Sequence, residues 1–231
     1  MLHLVAQQQG SLSPLVLAVL LGLAALLPSV LLVGTSFVKI SVVLGLLRNA
    51  LGAEGVPGGA VVAGLAVVLS VHVMAPTATS VSRNAGPAIA EALSADIATT
   101  EGRERWSRAW TAARAPVIRF LGANALPRDR AVFYDLARRS AARQGGEAPG
   151  RDDLSVLLPA FAVSELGRAF VMGFAVFLPF LVVDVVVANV LAAMGLAAMS
   201  PSRVALPFKL LLFVAADGWQ LIARALVLGY R

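Results

Sequence analysis

Apolar residues run along this chain in long blocks, and each block predicts a helix. Residues 15–38 carry no charge for long enough to cross a bilayer core of about 30 Å, with Pro28 predicting a kink or break inside them. Residues 35–52, TSFVKISVVLGLLRNALG, form an apolar helix that ends in the turn signals Asn49, Gly52, Gly55, Pro57 and Gly58. A further apolar helix covers residues 61–75 and is expected to stop at Pro76. The pattern resumes over residues 154–180, is expected to break at Pro179, and continues over 181–194. A tight connection at 194–204 then leads into a last apolar segment, 206–230, so that the final two elements make a helical hairpin.

Between these blocks the pattern changes. Residues 77–155 hold 12 of the 19 basic and 9 of the 13 acidic side chains, which marks a water-facing insert. Residues 101–119 and 128–143 read as helices, with Trp106, Trp110, Phe133, Leu136 and Ala137 spaced for one face. Gly145, Gly146, Pro149 and Gly150 form the return. The predicted organisation is N-terminal apolar helices (1–76), a polar insert (77–155) and a C-terminal apolar hairpin (156–231). Arg richness argues for a cytoplasmic insert, but the positive-inside rule weakens for loops beyond about 60 residues, so charge alone leaves the topology open.

The apolar tract 156–230 is interrupted by Glu165, Arg168, Asp184, Arg203, Lys209, Asp217 and Arg224. A charge at the centre of a lipid-facing helix costs roughly 2.5 to 3.5 kcal/mol. In residues 206–230 the Leu, Ile, Phe and Val side chains gain about 4 to 7 kcal/mol, while Lys209, Asp217 and Arg224 cost about 7 to 10 before snorkelling lowers the figure. Taken as one helix, Asp217 and Arg224 lie nearly in line, with Lys209 about 80° round. That charged side requires protein or water beside it. Glu165 and Arg168, spaced i, i+3, can pair on one face. Asp184 is either a functional intramembrane carboxylate or a hydrogen bond that specifies packing.

Composition narrows the class. A 58% hydrophobic content and mean hydropathy of +0.82 point to a membrane. Residues 1–12 lack Lys and Arg, a poor start for a signal peptide. There is no Cys, His3 and His72 are the only histidines, and no H-E-x-x-H spacing occurs, so no metal, cofactor or thiol chemistry is expected. The net charge of +6 comes almost wholly from Arg, with Lys39 and Lys209 the only lysines. These cations are not clustered beside exposed aromatics, which argues against nucleic acid as a partner.

Four ordered blocks carry a resemblance: residues 35–52, LPAFAVSELGRAF at 158–170, LPFLVVDVVVANVLAAMG at 178–195, and LPFKLLLFVAADGWQL at 206–221. Together they resemble the FliP/SctR family, the R component of the type III secretion export apparatus and its flagellar counterpart. The form Phe37-Val38-Lys39-Ile40-Ser41 is more similar to the injectisome branch. The resemblance implies an all-α protein of membrane-associated helical hairpins with a mainly helical insert, assembling into a helical pore complex.

It also implies a non-enzymatic subunit of an export gate in the bacterial inner membrane, raised toward the periplasm, with the insert periplasmic. Implied partners are further copies in a pentamer, the S and T export-apparatus proteins, the larger export-gate protein, the needle or inner rod, and secreted proteins in transit. The family often carries a methionine run in the loop after the Asp184 helix. Here that loop reads Leu196, Ala197 and Ala198 with Met194 and Met199 flanking, which makes these five residues the expected pore constriction. The embedded charges Lys39, Glu165, Arg168, Asp184, Lys209 and Asp217 are expected to hold helices and subunits together. Two other classes stand beside this one. An ion-coupled transporter fits the embedded charges, although no internal repeat is evident. An intramembrane aspartyl protease would use Asp184 and Asp217, but Asp217 sits in A-A-D-G-W without a G-x-G-D motif.

Overall fold

The computed structural model describes residue 25 and residues 32–52, 57–196 and 198–230. The helices in order are α1 (Phe37–Leu51), α2 (Gly59–Leu93), α3 (Thr100–Asn124), α4 (Pro127–Gln144), α5 (Leu154–Ala193), α6 (Pro201–Ala215) and α7 (Gly218–Leu228), and no strand occurs among the described residues. Most of the charge-free stretch 15–38, including Pro28, lies outside the described residues, as do His3, Gly55 and Ala197.

The short helix α1 sits at the centre. Ile40, Val43, Leu44, Leu47 and Leu51 repeat at helical spacing, and all are buried. They pack with Ala66 of α2, Ala169 and Phe180 of α5, Phe213 of α6, and Ile222 and Leu226 of α7. The helix ends where Gly52 turns left-handed at φ 70° and its N–H bonds the Asn49 carbonyl, a conformation glycine adopts without Cβ strain. Close approach of α1 to α5 depends on Gly173, where an added Cβ would overlap the Leu46 side chain. Gly173→Ala is therefore expected to cost about 1–3 kcal/mol through overpacking, read as a lower unfolding midpoint of the detergent-solubilised chain.

Two expected breaks do not occur. α2 runs 35 residues through Pro76 and Pro87, and α5 runs 40 residues through Pro159 and Pro179. Proline removes one helical hydrogen bond, but a long helix packed on neighbours tolerates the loss. After Pro76 the hydroxyls of Thr79 and Ser80 donate back to the carbonyls of Ala75 (2.8 Å) and Pro76 (2.9 Å), one turn earlier on the same helix. α2 consequently passes from the apolar tract into residues 77–93 without interruption, and α5 continues unbroken through residues 154–193.

A break appears instead where a single helix was expected. Residues 206–230 are split at Ala216 and Asp217 into α6 and α7, bent by 61°. Asp217 takes a left-handed backbone, φ 48°, and Phe213 closes over Gly218, where a Cβ would overlap its ring. The single-helix alignment of Lys209, Asp217 and Arg224 is thereby lost.

Residues 77–155 comprise the second half of α2, the whole of α3 and α4, and the first two residues of α5. Thr99 caps α3 by accepting from Gly102 N (3.0 Å), and Pro127 opens α4. A second apolar cluster joins this part to α5 through Phe120, Leu121, Leu157, Ala160 and Phe161, with Phe133 packed against it. The common face expected for the insert aromatics is divided, since Trp106, Trp110 and Leu136 are exposed. Among the described helices α2 and α5 are long and apolar enough to cross a membrane, and α6 with α7 make a third span if the bent pair counts as one.

Candidate functional site

The embedded charges fall into two buried junctions. The first surrounds Glu165 on α5, which is 0% exposed. Lys39 Nζ of α1 lies 3.3 Å from Glu165 Oε2, and Arg168 Nη1, one turn along α5, lies 2.7 Å from Oε1. The Tyr230 hydroxyl donates to Glu165 Oε2, and the Tyr230 ring lies under Lys39 Nζ, 3.4 Å from the ring centroid. Arg168 also donates to the Asn124 carbonyl at the end of α3 (2.6 Å). One residue earlier on α5, the buried Ser164 hydroxyl donates to Asp129 Oδ2 (2.6 Å) and accepts from Leu126 N (2.9 Å). The corner between α3 and α4 is thus pinned to the same turn of α5 that receives α1 and the C-terminal residues.

The second junction centres on Lys209 of α6, 3% exposed. Its Nζ donates to Asp184 Oδ2 of α5 (2.6 Å) and to the Ala50 carbonyl of α1 (3.1 Å). Ala50 lies in the last turn of α1, where unpaired carbonyls and the helix dipole both favour a cation. Lys209 therefore caps one helix and neutralises a carboxylate on another. Asp184 Oδ1 is buried and has no partner among the described residues. A smaller polar contact, Ser36 Oγ to Ser70 Oγ at 3.0 Å, ties the start of α1 to α2.

Asp217 joins neither junction. It is exposed at the break between α6 and α7, and Arg224 is exposed on α7. Asp184, the other carboxylate of the aspartyl dyad considered from the sequence, gives Oδ2 to the Lys209 ammonium instead. Among the described residues no three His, Asp or Glu side chains are grouped to hold a metal ion. His72 is exposed on α2. On α4, the hydrogen bond from Arg139, with Arg138 beside it, holds the Asp135 carboxyl below the usual carboxylate range.

The hairpin tip between α5 and α6 has the opposite character. Met194 is 65% exposed, Leu196 39% and Met199 48%, so the loop presents large apolar side chains outward. Ala198 is exposed too, and Gly195 turns the chain with φ 71°. Beneath the tip an apolar groove of about 590 Å³ runs between α5 and α6, lined by residues including Val186, Val190 and Phe208.

Sequence reasoning expected pairing among the embedded charges. It missed Tyr230 and the Lys209 cap on α1, since neither a tyrosine near the end of the chain nor a backbone carbonyl signals its partner.

Ionic junctions inside and apolar side chains outside define a helical protein whose exterior suits lipid or other chains better than water. The sequence model of the FliP family matches residues 20–226, and the chain belongs to that family. It is 40% identical over 214 residues to the Yop proteins translocation protein R of Yersinia pestis, covering 93% of this chain and 95% of that protein. The hypersensitivity response secretion protein HrcR of Ralstonia nicotianae is 42% identical over 210 residues, covering 90% of this chain and 93% of the relative. The flagellar biosynthetic protein FliP of Caulobacter vibrioides is 41% identical over 212 residues, covering 92% and 74%. Identity does not separate the secretion relatives from the flagellar one.

Proposed function

We propose that this chain is a core, non-enzymatic subunit of a type III protein-secretion export gate, of the injectisome branch. The observation that carries the reading is the inside-out distribution of side chains in a FliP-family chain. Lys39, Glu165, Asp184 and Lys209 pair within the fold, while Phe170, Val171, Phe174, Val182, Val214 and Leu221 are exposed. Exposed apolar surface on this scale fits lipid and neighbouring subunits together. The injectisome assignment rests on the Phe37-Val38-Lys39-Ile40-Ser41 form.

In this reading the complex lies in the bacterial inner membrane with residues 77–155 toward the periplasm. Several copies, a pentamer by family resemblance, surround a passage together with the S and T proteins, next to the larger export-gate protein and the needle or inner rod. Met194, Leu196, Ala197, Ala198 and Met199 form the constriction: a ring of apolar side chains closes a narrow pore by excluding water, and a flexible unfolded chain displaces them. Asp217 and Arg224, exposed on one chain, are satisfied by partner subunits.

Two measurements test this. Native mass spectrometry of the detergent-solubilised full chain is expected to give a homo-oligomer, and a monomer alone would sink the reading. Met194→Asp with Met199→Asp is expected to make cells expressing the assembled apparatus leak ions, because carboxylates hydrate the constriction. An unchanged membrane conductance with normal assembly would move the constriction elsewhere.

A further inference from the structure

Two cavities follow one another along the seam between α5 and α7. The first is an apolar groove of about 390 Å³, walled by Met172, Ala175 and Pro179 of α5 and by Leu221, Ile222 and Ala225 of α7. The second, about 410 Å³, is polar and lies at the corner between α3 and α4, lined by residues including Asn124, Pro127, Arg130, Arg168 and Gly229. Arg168 stands one turn before Met172 on α5, and Gly229 one turn after Ala225, just past the end of α7. The polar pocket therefore adjoins the same end of the groove on both walls.

This pocket is short of negative charge. Lys39 and Arg168 share the single carboxylate of Glu165. Further out, Arg128 has Asp129 at 3.5 Å and Arg130 has Asp152 at 2.7 Å, so each added cation brings its own partner and the excess positive charge stays. No carboxylate is among the described residues that line the pocket. Arg168 makes both of its hydrogen bonds through Nη1, to Asn124 O and Glu165 Oε1, and its Nη2 bonds nothing among the described residues. Arg130 holds Asp152 in the open, that side chain being 73% exposed. The depth of the seam suits a bilayer as well. Residues 169–183 of α5 carry no charge, and Arg168 stands at their start. From Arg168 to Pro179 the seam runs about 16 Å along α5, half of a hydrocarbon core of about 30 Å.

We propose that this seam binds an anionic phospholipid, with its phosphate between Arg168 and Arg130 and one acyl chain in the groove between α5 and α7. Guanidinium groups take phosphate oxygens through charge-assisted hydrogen bonds, and a basic pocket between apolar helices is a setting for an acidic headgroup. The groove selects a tail, since a free phosphate would fill the pocket and leave the apolar walls uncovered. The inference needs only that the chain meet a bilayer, and it is independent of the export-gate reading.

Native mass spectrometry of the delipidated, detergent-solubilised full chain tests it, with phosphatidylglycerol or phosphatidylcholine added at equal concentration. Phosphatidylglycerol is expected to be retained about tenfold better, the difference that one charge-assisted contact makes. Arg130→Gln, outside the buried junction, is expected to remove most of that preference. Ala225→Phe, which fills the groove and leaves both guanidinium groups in place, is expected to reduce retention of both lipids. Inorganic phosphate at millimolar concentration is expected not to displace the lipid. Equal retention of the two lipids, or a preference that survives both variants, would overturn the proposal. Displacement by phosphate would overturn it in favour of a free-anion site. Retention by a monomer fraction with none on the oligomer would also overturn it, a neighbouring chain then covering the seam. A chain that is wholly monomeric and still selects phosphatidylglycerol would end the export-gate reading and leave this one standing.

Discussion

Glu165→Ala is expected to destabilise the detergent-solubilised chain by about 3–5 kcal/mol, the cost of removing one partner from a buried ion pair. Glu165 is 0% exposed and Lys39 1%, so the lysine left behind cannot recover its hydration without opening the contact between α1 and α5. Arg168 suffers less, because it is 32% exposed and keeps its bond to the Asn124 carbonyl. The loss would appear as a lowered thermal midpoint together with loss of secretion by cells carrying the variant. A second variant isolates the cause. Lys39→Met with Glu165→Leu removes both charges and keeps similar volume, a replacement that is often neutral or stabilising in protein interiors. The double variant should therefore regain most of the lost stability. If it unfolds as readily as Glu165→Ala alone, the damage comes from packing around Tyr230 and Phe161, and the ionic account is wrong.

Lys209→Met should be the next most damaging change, at about 3 kcal/mol. This is the low end of the cost of breaking a buried pair, because the Asp184 side chain is 27% exposed and can partly rehydrate. The substitution also uncaps α1 by withdrawing the ammonium from the Ala50 carbonyl. Hydrogen exchange supplies the specific signature: amides 48–52 should exchange faster in Lys209→Met, while those in the middle of α3 should not change. Asp184→Asn keeps the cap and leaves Lys209 without its counter-charge, so it should lower the midpoint without exposing the end of α1. Equal exchange at 48–52 in both variants would show that Lys209 does not cap the helix.

The helical class and the ends of α1 and α4 were legible in the sequence, for local reasons. Apolar blocks, the switch to charge at residue 77, and glycines at 52 and 145 act through neighbouring residues, and those effects are present in any stretch of chain. Prolines 76 and 179 misled because proline is a local breaker. Packing along α2 and α5 outweighs one missing hydrogen bond at each. The bend at Asp217 had no comparable signal, since it depends on Phe213 closing over Gly218.

The candidate site divides along the same line. By itself the sequence determined that Lys39, Glu165, Asp184 and Lys209 cannot face lipid alone, because the desolvation cost belongs to each charge wherever it sits. It also set the apolar character of the loop around Met194 and Met199. Only the tertiary structure decided which charge meets which: Lys39 with Glu165 under the Tyr230 ring, and Lys209 with Asp184 at the end of α1. A charge specifies that it must be paired. Its partner is fixed by where the helices cross, and that follows from the packing of Ile40, Leu47, Gly173 and Phe213 rather than from the charges themselves.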